Sequence, residues 1–143
     1  MINDGLKMTG AVAIALNGEV VREIPNLVVT AGKGYVASRM KDATATAMSH
    51  MAIGTNNTTA AVGQTALTAE AARGALTSTT VSNNTIAYVE TFAAGTGTGA
   101  IVEAGVFNAS SGGTMLCRTV FASGVVNKGS ADSMTITWTI TVS

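Results

Sequence analysis

At the end of the chain Met134, Ile136, Trp138, Ile140 and Val142 alternate with Thr135, Thr137, Thr139 and Thr141. A period of two puts the two sets on opposite faces of a strand, so 134–142 is predicted to bury an apolar face and show threonines to water. Near the start, Val12–Leu16 and Val20–Ile24 flank Asn17-Gly18. Asn-Gly tolerates the positive φ of a tight two-residue turn, so the two runs predict a hairpin, with Pro25 ending its second strand. Thr30–Lys41 changes period. Thr30 is placed to cap a short helix carrying Tyr35, Val36, Arg39 and Met40 at helical spacing, against the cost of Gly32 and Gly34.

Further strands are predicted at Met48–Gly54, Leu76–Val81, Thr85–Phe92, Ile101–Asn108 and Met115–Phe121. Polar and glycine-rich turns separate them, among them Thr55–Thr59, Ser82-Asn83-Asn84, Gly95–Gly99 and Ser110–Gly113. Gly63–Gly74 reads as an irregular crossing segment with at most one helical turn. Strands at this spacing imply an all-β chain, a jelly-roll-like β-sandwich with one short helix. No fixed-period repeat suggests a propeller or solenoid. The reading gives an N-terminal arm over residues 1–10, carrying Ile2, Leu6 and Met8 without clear period, and a single sandwich domain over 11–143.

Composition sharpens this picture. Of the 143 residues, 24 are Ala, 22 Thr and 16 Gly, with six aromatics in all. Charged residues are 11% of the chain, against about 25% in an ordinary soluble domain. Eight Lys+Arg balance eight Asp+Glu. That balance argues against a nucleic-acid partner, which needs cationic excess, and against electrostatic attachment to a membrane. The longest early apolar run, Ala11–Leu16, is too short for a secretion signal or a span. Folding in a cytoplasm is therefore expected. Cys117 is the only cysteine, which leaves no intrachain disulfide.

Candidate chemistry is sparse. His50 is the only histidine. Ser49 precedes it, but neighbours along a strand face opposite ways, and nothing ties Asp42 to it. Cys117 sits mid-strand with Arg118 expected on the opposite face, so a buried, inert thiol is expected. One His and one Cys are too few for a structural zinc site. The carboxylates Asp4, Asp42, Asp132, Glu70, Glu90 and Glu103 are scattered, without a calcium-loop pattern. Gly95-Thr96-Gly97-Thr98-Gly99 lacks the following helix and lysine that phosphate binding requires. The expectation is no catalytic residue, no metal, no cofactor and no small-molecule substrate. Zero net charge suits a protein built into an assembly better than a free monomer.

Three segments resemble a family of small structural proteins of tailed bacteriophages. They are Asn26-Leu27-Val28-Val29-Thr30-Ala31-Gly32-Lys33; Met51–Thr55 running on through Gly63-Gln64-Thr65-Ala66-Leu67 to Glu70 and Arg73; and Glu103–Asn108 running on through Gly112–Leu116 to Arg118. The resemblance covers nearly all of the chain from about residue 20. Asn57 departs from it, standing where a glycine is common. Size and β content are similar to the jelly-roll cement proteins of short-tailed phages. The resemblance implies a dimer on the exterior of the virion capsid that staples neighbouring subunits of the major capsid protein, with no catalytic residues. Ile2, Leu6 and Met8 are the candidate interface residues. A tail-fibre or other tail structural module is the alternative, followed by a sugar-binding jelly roll, which would need exposed aromatics for stacking. An enzyme is not expected.

Overall fold

A computed structural model describes residues 5–41 and 45–143. Its elements are β1 (Met8–Leu16), β2 (Glu19–Pro25), β3 (Leu27–Val28), α1 (Thr30–Arg39), β4 (His50–Gly54), β5 (Glu70–Ala75), β6 (Ser78–Ser82), β7 (Thr85–Phe92), β8 (Gly99–Ile101), β9 (Glu103–Phe107), β10 (Met115–Val120), β11 (Val126–Lys128) and β12 (Met134–Val142). Two antiparallel five-stranded sheets form, one in the order β2-β1-β12-β7-β6 and the other β3-β10-β9-β4-β5, with β11-β8 as a small ribbon. The chain is an all-β sandwich with one short helix. It passes from sheet to sheet at β2→β3, β5→β6, β7→β9 and β10→β12.

The alternating apolar residues determine how the first sheet packs. Trp138 lies opposite Val12 on one neighbour and Tyr88 on the other, and Ile136 lies opposite Ile14. All five are buried and meet Met51, Ile53, Val106 and Cys117 of the second sheet in one core. The threonines of β12 face out, where Thr135 shares a hydrogen bond of 2.9 Å with Thr91. The second sheet is covered on both faces. Its outer face carries Ala52, Phe107 and Met115, which form a second cluster with Leu67 of the 55–69 segment and Val29 ahead of α1.

The structure departs from the sequence expectations at several points. The hairpin turn forms at Asn17-Gly18, both at positive φ, but β1 starts at Met8 rather than Val12. Lys7 and Ser143 then exchange backbone hydrogen bonds of 2.7 and 2.9 Å. Of the arm over 1–10, residues 8–10 are therefore strand, while Ile2 and Asp4 lie outside the described residues. The helix is capped at Val29, not Thr30; Thr30 is its first residue and donates its N–H to the Val62 carbonyl. Residues 70–75 are strand β5, not irregular: pairing with β4 makes the strand, and Ala71, Ala72, Gly74 and Ala75 give no alternation that would mark it in the sequence. The run 101–108 breaks at Val102 into β8 and β9. The Gly95–Gly99 loop leads into strand β8, which pairs with β11.

Candidate functional site

His50 opens β4 and lies opposite Phe107, on the outer face of the second sheet. Ser49 precedes the strand, so the rule of opposite faces does not hold, and its Oγ lies 2.7 Å from His50 Nδ1. Among the described residues no carboxylate is bonded to His50, and Asp42 lies outside them. Cys117 is fully buried, and burial pushes its thiol pKa well up, which keeps it protonated. Among the described residues no three His, Cys, Asp or Glu side chains are grouped to hold a metal. No helix there is long and apolar enough to cross a membrane.

What the outer face does hold is a buried ion pair that sequence reasoning missed. Arg118 of β10 and Glu103 of β9 are both fully buried, with Nη2 and Oε2 2.6 Å apart. Their side chains share a face because Arg118 lies opposite Gly105, two residues along from Glu103. Glu103 also accepts the backbone N–H groups of Ala69 at 2.9 Å and Thr68 at 3.3 Å. Arg118 Nη1 donates to the Thr58 carbonyl at 2.9 Å and to Gln64 Oε1 at 3.1 Å. Gln64 in turn donates to the Thr59 carbonyl. The pair thus ties the 55–69 segment to the sheet and seats Leu67 over the second cluster.

Two other cations play similar parts. Arg73 pairs with Glu70 at 2.7 Å, donates to the Ala109 and Gly112 carbonyls, and stacks 3.8 Å above the Phe107 ring. Lys128 is buried and donates to the Ala93 carbonyl at 2.9 Å. The polar residues quoted above from the second and third segments, Gln64, Glu70, Arg73, Glu103 and Arg118, are therefore structural ties. A sequence signal existed: charged residues at 103 and 118 interrupt strands that are otherwise apolar, and buried charges require partners.

Among the described residues, an apolar groove of about 650 Å³ lies between the start of β1, the β2–β3 corner and α1. Leu6, Met8, Leu27, Val36 and Met40 line it, with Lys7 and Lys33 among the lining residues. Leu6 is 75% exposed and Met40 82%. Asn26 sits at the same corner, with its amide buried over Gly10 and against the Cys117 thiol rather than turned into the groove. Of the residues assigned to an interface from sequence, Leu6 and Met8 come together here.

Comparison with protein-family models, with curated proteins and with solved structures finds no match.

Proposed function

We propose that the protein is a structural component of a phage particle, a decoration protein on the outer surface of the head that bridges neighbouring major capsid subunits. The apolar groove carries this reading. It offers two large exposed side chains, Leu6 and Met40, along walls that also carry Met8, Leu27 and Val36. A protein segment with apolar side chains matches such walls. Burial there contributes roughly 25 cal/mol per Å² of apolar surface before association costs. Repetition at many lattice positions turns a modest contact into a durable one. The ties of Arg118, Arg73 and Lys128 fit the same reading, since they hold the scaffold rather than a substrate.

The test is addition of purified protein to shells that lack it. Leu6→Ser with Met40→Ser should weaken binding about tenfold or more, a loss of ~1.4 kcal/mol per factor of ten. Both side chains are exposed, so the melting temperature should not move. Copy number per particle separates head from tail. A fixed ratio to the shell subunit supports the reading, whereas a count matching the tail's rotational symmetry makes the protein a tail module and overturns it.

A further inference from the structure

The edges of the two sheets are not treated alike. An edge strand presents unpaired N–H and C=O groups, and proteins blunt such edges with charge, proline, bulges or shortness. On β2 stand Glu19, Arg22, Glu23 and Pro25, with a register shift against β1. β5 carries Glu70 and Arg73 and a register shift against β4. β3 is two residues long. The remaining edge, β6, is Ser78-Thr79-Thr80-Val81-Ser82. It has no charge, no proline and an unbroken register with β7, and all five of its residues are exposed. Threonine and valine favour strands.

The pairing fixes which backbone groups are free. The two-residue turn Asn83-Asn84 closes on the pair Ser82–Thr85, and hydrogen-bonded pairs then alternate along the hairpin. Ser82, Thr80 and Ser78 therefore bond to β7. The Thr77 N–H donating to the Val89 carbonyl at 2.7 Å agrees with that phase. Thr79 and Val81 are left with N–H and C=O turned outward. Their side chains lie on the core-facing side, opposite Tyr88 and Ile86, yet Val81 is 70% exposed because no described residue covers this overhang.

We propose that β6 is the seam of a homodimer, in which two copies pair antiparallel about a two-fold axis through Thr80. The register follows from the free groups. Thr79 lies opposite the partner's Val81, each such pair exchanges both N–H···O bonds, and the two-fold makes the pair twice. Thr80 faces its own copy in the closer, non-hydrogen-bonded position. The result is one sheet of ten strands, five from each copy. A second copy is the occupant because the strand complements itself: its outward donors and acceptors map onto each other under the two-fold, and no charge opposes like charge. The pairing also consumes both β6 edges, so the assembly closes as a dimer. This inference does not rest on the capsid reading.

Sedimentation or light scattering of the full chain across the micromolar range tests it. The wild type should be a dimer. Thr80→Lys alone and Thr80→Glu alone should each weaken dimerisation at least tenfold, less so at high salt, which screens the like charges. Mixing the two variants should restore a dimer with one of each, seen by native mass spectrometry. Thr80 is exposed and uses only its backbone toward β7, so the fold should survive. If either variant fails to fold, Thr79→Pro is the second probe, since it removes only an outward N–H. A monomeric wild type overturns the proposal. So does a dimer that persists in the folded single variants, or a Lys and Glu mixture that stays monomeric.

Discussion

Arg118 shows how much a single residue can hide from a reading of its neighbours. Strand periodicity puts it on the face opposite Cys117, which is where it lies, and that face would be assumed to meet water. Instead the 55–69 segment folds across it, and the guanidinium ends up fully buried against Glu103. Breaking such a pair from one side strands a charge in a place water cannot reach, which costs about 3–5 kcal/mol. Arg118→Met and Glu103→Leu should each lower stability on that scale, measured by urea unfolding. Arg118→Met with Glu103→Leu should cost clearly less than the sum of its single changes, because neither charge is then left alone. Additive losses would mean that the pair does not act as a unit. His50 and Ser49 are the converse case, a pair legible as adjacent letters whose 2.7 Å contact depends on Ser49 lying just outside the strand.

Among the elements, α1 is the one whose internal signals conflict. Its glycines at 32 and 34 look equivalent in sequence, and each lowers helix propensity by about 1 kcal/mol against alanine. Their surroundings differ. A Cβ on Gly32 would overlap the Leu116 carbonyl of β10, whereas a Cβ on Gly34 meets nothing within 4 Å. Gly32 is the close-approach point that lets the helix lie on the sheet, with Tyr35 and Val36 reaching the core. Gly34→Ala should therefore raise stability by about 0.5–1 kcal/mol, while Gly32→Ala should lower it by about 1–3 kcal/mol as the helix is pushed off. Thermal unfolding of the two variants checks both signs. Strand β12 is the opposite case. Its alternation alone gives bounds, faces and core residues, because a half-buried strand writes its environment into every second position. β5 has one charged pair and small residues, so its strand character comes from pairing with β4 rather than from its own pattern.

Taken whole, the molecule places its groove and its bare edge far apart. The groove lies by β1, the β2–β3 corner and α1, while β6 ends the same sheet on the other side. A β6 dimer would therefore leave both grooves free at the two ends of the joined sheet, a layout suited to stapling. Between the sheets sits Glu90, buried against Gly74 of β5 with Oε2 unpartnered, and burial raises its carboxyl pKa. A carboxyl whose pKa is higher in the folded state favours folding at low pH. That advantage is lost as pH rises from the unfolded pKa through the folded one. Glu90→Gln should thus raise the urea midpoint near pH ~7 and leave it almost unchanged near pH ~4, where an ordinary glutamate is largely protonated. An equal shift at both values would show that charge is not the cause. The sequence by itself determined the all-β class, the helix, both tight hairpins and most of the core, because these depend on period and turn chemistry within a dozen residues. Tertiary structure decided which sheet each strand joins, that Arg118 and Glu103 are buried, that Leu6 and Met8 line one groove with α1, and that β6 is left bare. Each of these depends on contacts between residues far apart in the chain, which no local pattern encodes.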